Sequence, residues 1–457
     1  MREWMVNQIT PIRGNADIVA YFLVRAADLL KPAGSLGLLT AVAVSEGGTR
    51  KAGLDVLMHS GFSLTRALRS RTWPAKSAAT DFSAVWGTFA RVEGDVLRHV
   101  DGVTVPRISS KLEPVGRVEG NPMALGANKG KAFVGCYLNG KGFQIPEESA
   151  RMMQNADIRY ERVIRPLLRG EVMNDLPTFS SSEWVVDLYP LSLEGAQKYP
   201  EAVNWVERHV RPHREGMKNK PKLQKNWWRF ERDAKALRAA LKGRAEVLAL
   251  ALTSKTMVPA WVSPDQIFSH TVAVFPYATY SLQAMLTSSV HRDWALSEGS
   301  GRGASPRYLP SRAFMPFPQP DFNDNMHRSG IQLNDRQRKI MRDRGIGLTR
   351  LYSLVNDSSL DNDLEIENLR QSQIDVDRAV MEAYGWDDVD LDHGFHTYRQ
   401  MQRWTVGPEA RVEILDRLLE ENHRRAAAEA RTSEGSSTVP ADVVEDLDDM
   451  DVEGAEL

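Results

Sequence analysis

The alternation of apolar and polar residues predicts a helix, a turn and a strand near the start of the chain. One face of the helix repeats apolar residues at helical spacing, at Ile18, Phe22, Ala26 and Leu29. Pro32 ends the helix, because proline cannot continue one. Residues 36–44 are almost continuously apolar, which is typical of a strand buried on both faces of a parallel sheet. The pattern therefore indicates part of an open α/β sheet.

Further periodicity divides the rest of the chain. A helix is predicted over residues 51–60 and an alternating strand over 82–89. A mixed segment follows, with strands predicted at 133–137, 184–188, 246–253 and 271–275. Residues 333–430 carry helical periodicity, and the last 27 residues, 431–457, are rich in Ser and Gly and then in Asp and Glu. That final composition predicts a disordered acidic tail.

These shifts predict an α/β plus α+β protein made of five parts. A partial Rossmann-type domain over residues 1–92 is followed by a connector over 93–130. A mixed domain over 131–318 and a helical C-terminal domain over 319–430 come next, and the acidic tail over 431–457 ends the chain.

Composition excludes several classes of protein. The 457 residues have a net charge of −2 and are 42% hydrophobic, so we expect several domains with sizeable cores. Cys136 is the single cysteine, which excludes an internal disulfide framework and a cysteine-based zinc site within one chain. No apolar stretch approaches the roughly 18 residues of a membrane helix, and no signal-peptide pattern is present. We predict a cytoplasmic protein with no membrane segment and no metal site.

A strongly basic segment lies in the middle of the chain. Between Arg208 and Arg244 there are 13 Lys and Arg residues against 3 Asp and Glu residues. Such a cluster either neutralises DNA phosphates, with a salt-dependent affinity, or forms a solvated face. Its tryptophans either wedge against bases or pack in a core. The candidate DNA-binding residues here are Arg211, Arg214, Lys218, Lys220, Lys222, Lys225, Trp227, Trp228 and Arg229.

Five more candidates follow this segment. Lys255 comes after an apolar strand and is either a phosphate contact or a surface lysine. His291 lies in a helical stretch and is either structural or a donor to the DNA backbone. Arg302, Arg307 and Arg312 recur in a glycine-rich loop and the stretch after it. A guanidinium can read a guanine edge through two hydrogen bonds, although pairing with a carboxylate or positioning the DNA backbone is equally compatible with the pattern.

Several strings resemble, in order, three parts of the MmeI-like type II (IIG/IIL) restriction–modification enzymes. ADIVAYFLVRAADLLKPAGSLGLLT, GGTRKAGLDVLM and RSRTWPAKSAA resemble the later half of the methyltransferase domain. FVGCYLNGKGFQIPEESA, EWVVDLYPLSLEGAQKYP and YLPSRAFMPFPQP resemble the target recognition domain. LNDRQRKIM, GIGLTRLYSLVND and RWTVGPEARVEILDRLLEENHRR resemble the C-terminal domain. The ordered resemblance covers roughly residues 15–425.

The resemblance implies a site-specific adenine-N6 DNA methyltransferase that acts on double-stranded DNA with S-adenosylmethionine. The glycine-rich cofactor loop and the Asn-Pro-Pro-aromatic motif of the family are not in this sequence. We therefore expect no catalytic residue here and no cofactor binding by this chain alone. The resemblance places Asp17 and Tyr21 near the adenine and cofactor pocket, although Asp17 is also compatible with a surface carboxylate.

This departure from the family pattern leads to two hypotheses. The chain is the DNA-recognition half of such an enzyme, either as a truncated remnant or as one subunit that needs an amino-terminal half supplied in trans. Alternatively, it is a non-catalytic, sequence-specific DNA-binding protein.

Overall fold

The computed structural model describes residues 16–74, 81–92, 96–118, 120–179, 182–302, 305–360, 362–398 and 401–434. The chain forms two compact units. Unit 1 comprises Met1–Pro122, Ser300–Ser305 and Val389–Arg424, and unit 2 comprises Met123–Gly299, Pro306–Asp388 and Arg425–Leu457. The last helix continues to Glu434, and the rest of the acidic tail predicted to be disordered lies outside the described residues.

The strands are short apart from those at the start of the chain. In chain order they are β1 Ser35–Ala41, β2 Ser63–Thr72, β3 Asp81–Thr88, β4 Arg98–Val100, β5 Val103–Val105, β6 Phe133–Val134, β7 Gln144–Ile145, β8 Ile164–Leu168, β9 Trp184–Val186, β10 Val247–Ala251, β11 Ala260–Val262, β12 Ile267–Phe268, β13 Val272–Phe275, β14 Ser300–Arg302, β15 Ser305–Arg307, β16 Gly394–Tyr398 and β17 Met401–Thr405.

The helices are longest toward the end of the chain. In order they are α1 Ile18–Asp28, α2 Gly47–Arg50, α3 Val56–His59, α4 Glu147–Ala156, α5 Gly170–Met173, α6 Leu193–Ala196, α7 Pro200–His209, α8 Arg211–Glu215, α9 Pro221–Lys225, α10 Lys235–Leu241, α11 Tyr280–Thr287, α12 Ser289–Glu298, α13 Pro310–Ala313, α14 Asp324–Arg344, α15 Leu348–Val355, α16 Leu364–Tyr384 and α17 Pro408–Glu434.

Unit 1 is built on a five-stranded sheet with the order β1-β3-β2-β4-β5. β3 lies antiparallel between β1 and β2, and β2 is parallel to β4. The prediction that β1 is buried on both faces of a parallel sheet is wrong. β1 is an edge strand whose residues alternate in exposure, and Leu39 is 59% exposed. The apolar run over residues 36–44 extends beyond the end of β1, because Val42–Ser45 form a 3-10 helix.

Helix α1 is confirmed, but it buries a different face from the predicted one. Phe22 is 63% exposed, and Ile18 and Leu29 are also exposed. The helix is apolar on two sides, so periodicity alone could not decide which side packs. The residues buried against the sheet side of unit 1 are Ala20, Tyr21, Leu23, Val24 and Ala27.

Unit 2 contains two four-stranded sheets, ordered β11-β10-β13-β6 and β12-β8-β9-β7. The strands predicted near 133–137, 184–188, 246–253 and 271–275 are confirmed as β6, β9, β10 and β13, each shorter than predicted. All five residues of β10 are buried, since the strand pairs on both sides with β11 and β13. β8 and β9 pair antiparallel and contribute Ile164, Val185 and Val186 to a large core.

The segment over residues 333–430 is helical in large part, as predicted, through α14, α15, α16 and α17. It also contains a hairpin that was not predicted. β16 and β17 pair antiparallel, with Phe395 opposite Trp404, and their rings stand edge to face at 5.1 Å. The hairpin belongs to unit 1. Its strands are only five residues each, too short to stand out against the flanking helical pattern.

Candidate nucleic-acid interface

The basic segment folds into α8, α9 and α10 with the loops between them, and its cations have different surroundings. Arg211 forms ion pairs with Glu207 at 2.6 Å and Glu215 at 2.8 Å. Lys220 is paired with Glu231 at 2.8 Å, and Arg229 is paired with Asp233. The positive charge of each of these three side chains is therefore partly neutralised by a carboxylate of the same chain. Within the described part of the chain, the exposed lysines of this segment without an ion pair are Lys218, Lys222, Lys225, Lys235 and Lys242, and the first three are candidates from the sequence.

Arg214 does not belong to a DNA-facing surface, which corrects the prediction from its sequence neighbourhood. Its side chain has 0% exposure and donates from Nη2 to the Leu138 carbonyl at 2.8 Å. Its guanidinium lies 5.6 Å from the centre of the Phe143 ring. Burial lowers the pKa of Arg214 from its usual value, with partial compensation from Glu231. The arginine is a structural group whose remaining guanidinium nitrogens, Nε and Nη1, have no hydrogen-bond partner among the described residues.

The tryptophans of the segment are also structural. Trp227 is 8% exposed and belongs to the core of the first part of unit 2. Trp228 packs against that core and donates from its indole nitrogen to the Leu191 carbonyl at 3.2 Å. The two rings stand edge to face at 6.0 Å. The core interpretation holds for both, and a wedge against DNA bases by Trp227 is wrong.

The burial of Arg214 leads to a prediction that separates structure from DNA contact. Arg214→Ala is expected to lower the unfolding temperature, because Leu138 loses a donor and the Phe143 ring loses a packing partner. The salt dependence of DNA binding should be unchanged, since a buried guanidinium contacts no phosphate. Thermal unfolding and DNA titrations at several salt concentrations measure the two effects. Lys222→Ala is the matched exposed variant, expected to leave the unfolding temperature unchanged. A weaker salt dependence in Arg214→Ala would contradict this assignment.

His291 is buried, which corrects its interpretation as a DNA-backbone donor. The ring lies in α12, 3.0 Å from the Tyr308 hydroxyl through Nε2, and edge to face with Phe317 at 4.5 Å. Burial lowers the pKa of His291 to about 3. The residue is therefore a neutral core histidine. Lys255 is exposed on the loop after β10, where a surface position is compatible with either of its predicted roles.

The three arginines of the glycine-rich loop do not act as one group. The side chain of Arg302 lies outside the described residues, although its backbone is in β14. Arg312 is half-buried in the short helix α13. Arg307 is half-buried in β15 and pairs through its backbone with Thr253. Of the three, Arg307 lies beside other basic side chains.

Asp17 and Tyr21 have structural surroundings in unit 1. Asp17 caps α1 by accepting a hydrogen bond from the Val19 amide at 3.0 Å. Its own amide donates to the Thr49 hydroxyl at 2.9 Å. Tyr21 is buried, and its hydroxyl has no partner among the described residues. Helix capping accounts for the carboxylate of Asp17, so the two residues do not form a shared polar pocket.

A second basic group in unit 2 was missed by the sequence analysis. We call it the His270 cluster, made of Tyr137, Arg169, Arg232, His270 and Arg307. Tyr137 and His270 stand edge to face at 4.7 Å, and the Arg232 guanidinium lies over the Tyr137 ring at 5.3 Å. Arg169 is paired with Glu183 at 2.8 Å. All five side chains are half-buried, so each keeps a surface toward solvent.

Neighbouring backbone segments hold the cluster in a row. Tyr137 exchanges hydrogen bonds with Arg232 at 3.0 and 3.1 Å. The His270 amide donates to the Cys136 carbonyl at 2.8 Å, and the next residue, Thr271, accepts from the Leu252 amide at 2.9 Å. Thr253 then bridges to Arg307. The row therefore runs from Arg232 through Tyr137 and His270 to Arg307.

Two glycines allow these segments to approach. A Cβ atom on Gly135 would collide with the Phe268 carbonyl oxygen, and one on Gly170 would lie 2.6 Å from the Thr271 carbonyl oxygen. Real Cβ atoms do not approach other atoms this closely, so glycine is required at both positions. The cluster was missed because its members are 30 or more residues apart in the sequence. Each basic member is a single residue in its own stretch of sequence, and only Arg169 directly follows a strand.

Electrostatics at the cluster is dominated by positive charge. Burial lowers the pKa of His270, and Arg232, Arg307 and Arg169 lower it further, while Glu171 opposes them. Among the described residues, the side chains of Arg232 and Arg307 form no ion pair or hydrogen bond. Like charges are thus held near a neutral imidazole, which favours an anion at this surface.

Comparison with known proteins gives matches among solved structures. No family model matches the chain, and no curated protein matches it. The type IIL restriction–modification enzyme MmeI, solved in complex with DNA, aligns over 93% of this chain and 55% of its own with a TM-score of 0.67 and 15% identity. The chain shares the fold of MmeI. It spans about half the length of that enzyme.

A second match is weaker than that with MmeI. The type IIG restriction endonuclease BpuSI aligns over 84% of this chain and 52% of its own, with 11% identity and a TM-score of 0.29. That score does not establish a common fold. The similarity to MmeI covers 93% of the chain, so it extends into both units.

The described residues lack two further kinds of feature. No helix in the described ranges is long and apolar enough to cross a membrane. No group of three or more His, Cys, Asp and Glu side chains within those ranges could hold a metal ion.

Proposed function

We propose that this chain is the DNA-recognition part of a restriction–modification enzyme of the MmeI kind. The observation that carries the proposal is the fold shared with MmeI over 93% of the chain, since MmeI was solved in complex with DNA. Most of the target recognition region expected from the sequence, residues 131–318, lies in unit 2, which also contains helices α14, α15 and α16. Its half-buried row of cations and its exposed lysines supply the phosphate contacts that position such a protein on a duplex.

The basic candidates sort into two classes under this proposal. Lys218, Lys222 and Lys225 are solvated and contribute sequence-independent attraction. Arg307 is fixed by its strand pairing and keeps an open guanidinium, which is what reading or positioning at a defined place on the duplex requires. Arg302, Arg312 and Lys255 stay candidates for DNA contact without assignment to either class.

The methyltransferase role is a finer proposal. The sheet of unit 1 has the strand order β1-β3-β2 with β3 antiparallel between its neighbours, and this supports the expected distal part of a methyltransferase domain. We propose an adenine-N6 methyltransferase that is active only together with a segment carrying the cofactor loop and the Asn-Pro-Pro-aromatic motif. The open edge of β1 and the exposed apolar side of α1, with Phe22 and Leu29, suit the strand and helix of such a segment.

Two residues of unit 1 were expected near the cofactor pocket. The Asp17 carboxylate is exposed and caps α1 through one oxygen, and Tyr21 is packed in the core with a hydroxyl that has no partner among the described residues. One carboxylate and one buried phenol do not by themselves make a site that would hold S-adenosylmethionine. We therefore derive no step of methyl transfer through the side chains of this chain.

The DNA-recognition proposal is tested by titrating a fluorescent random-sequence duplex with the full chain at several salt concentrations. We expect binding with a Kd on the order of 10⁻⁶ M at low salt and a linear fall of log K with log salt. Absence of binding at the lowest salt concentration would overturn the proposal. Tritiated methyl transfer from S-adenosylmethionine to the same DNA tests the finer role. Methyl transfer is expected only when the cofactor-binding segment is added. Methyl transfer by the chain alone would refute the proposal that the cofactor is bound by a separate segment.

The second candidate is a non-catalytic, sequence-specific DNA-binding protein. The observation that favours it is that this sequence contains no Asn-Pro-Pro-aromatic motif. Specific DNA binding without methyl transfer, even with the cofactor-binding segment present, would select it.

A further inference from the structure

The His270 cluster has features that a solvated patch of lysines lacks. Its cations sit on short strands or directly beside them, so their positions are set by backbone hydrogen bonds. The Arg232 guanidinium is also held over the Tyr137 ring at 5.3 Å, which orients its plane and leaves its N–H edges open. A group fixed in this way loses little conformational entropy when it binds a ligand.

The charges of the cluster define the kind of ligand. Arg232 and Arg307 have no carboxylate partner among the described residues, whereas Arg169 is neutralised by Glu183. Glu171 adds a negative charge at the side of the row, near Thr271, whose hydroxyl it accepts at 3.5 Å. The net effect is two open guanidinium groups on either side of His270. Guanidinium groups bind phosphate through paired, charge-assisted hydrogen bonds.

The spacing of the row limits the ligand further. Neighbouring paired segments lie about 4.8 Å apart, and the two arginines are several segments apart, with Tyr137 and His270 between them. Because the two arginines come from segments that are not adjacent, a ligand that carries several phosphates in a chain suits the row better than one isolated phosphate.

We infer that the His270 cluster binds successive phosphodiesters of one strand of duplex DNA, with Arg232 and Arg307 each holding a phosphate on either side of His270. The inference rests on the proposed function and assigns its phosphate-positioning site. His270 stands between the two arginines as a neutral ring against Tyr137, so it fills the space between the phosphates without adding charge.

The number of phosphate contacts is measured by the slope of log K against log salt. Each contact contributes about −0.9 to that slope. The double variant Arg232→Ala/Arg307→Ala is therefore expected to reduce the magnitude of the slope by about 1.8 relative to the wild-type chain. The matched control is Arg350→Ala/Arg378→Ala, which removes two exposed arginines from α15 and α16 and should leave the slope unchanged.

A second variant distinguishes loss of the phosphate contacts from loss of the fold. Arg232→Lys/Arg307→Lys keeps both charges and is expected to keep the slope of the wild-type chain, with weaker affinity because paired hydrogen bonds are lost. Thermal unfolding of each variant checks that unit 2 is intact.

The outcomes separate this inference from the proposed function. An unchanged slope in the alanine variant, or an equal reduction in the control, overturns the phosphate site while duplex binding by the wild-type chain still stands. No duplex binding by the wild-type chain overturns both. A reduced slope that lysine restores supports the site.

Discussion

Asp377→Ala is expected to lower the free energy of unfolding by about 3 kcal/mol at neutral pH. Asp377 lies on α16 and is fully buried. Its carboxylate accepts from the Ser289 amide at 2.6 Å and the Ser289 hydroxyl at 2.7 Å, and from the Gln373 side-chain amide at 3.2 Å. Alanine removes the acceptor of these donors, and Ser289 and Gln373 are themselves buried.

The matched control for this variant lies on the same helix. Asp375 is half-buried and accepts a hydrogen bond from Gln371 at 2.9 Å, so Asp375→Ala should cost roughly 0.5 kcal/mol or less. Asp377→Asn keeps one acceptor oxygen and should fall between the two. Chemical denaturation of the full chain measures all three. Equal stability of the Asp377→Ala and Asp375→Ala variants would show that the buried carboxylate is not holding α12 to α16.

The second large effect is acid sensitivity caused by His291. Burial lowers its pKa to about 3 in the folded chain, against roughly 6.5 in an unfolded chain. Below pH 6.5 the unfolded chain therefore binds a proton that the folded chain does not bind. Stability contributed by the neutral ring is fully present above pH 6.5 and is lost as pH falls toward 3, by about 1.4 kcal/mol for each pH unit.

A variant isolates this contribution from that of the carboxylates. His291→Gln cannot take up a proton and keeps a hydrogen-bonding group near the Tyr308 hydroxyl. The stability difference between the wild-type chain and the variant should change across pH 6 to pH 4 with the slope given above. Denaturation at several pH values in that window measures it. Parallel pH curves for the two proteins would mean that His291 is accessible to protons in the folded state.

Local sequence patterns predicted the helices and strands better than they predicted which of them pack or pair with one another. Helix α1 and strands β6, β9, β10 and β13 were predicted because each is a short apolar pattern with clear ends. The buried side of α1 was not, since both sides are apolar and the choice depends on the sheet it packs against. The β16–β17 hairpin was missed because its pairing depends on two short strands within a helical segment.

The candidate site shows the same limit for charge. The basic segment was recognisable by its local density of Lys and Arg, but density does not reveal that Arg214 turns inward or that Arg211 lies between two glutamates. The His270 cluster is assembled from residues 137, 169, 232, 270 and 307 by long-range strand pairing. No window of the sequence contains that arrangement.

We propose that unit 2 recognises a defined sequence in duplex DNA. This proposal is tested by selecting bound duplexes from a random-sequence library with the full chain and sequencing them. We expect the wild-type chain to enrich one short motif and Arg232→Ala/Arg307→Ala to recover the same motif more weakly, because phosphate contacts position the protein without specifying the sequence. Recovery of bound DNA without any enriched motif would show that the binding is non-specific and would overturn the proposal.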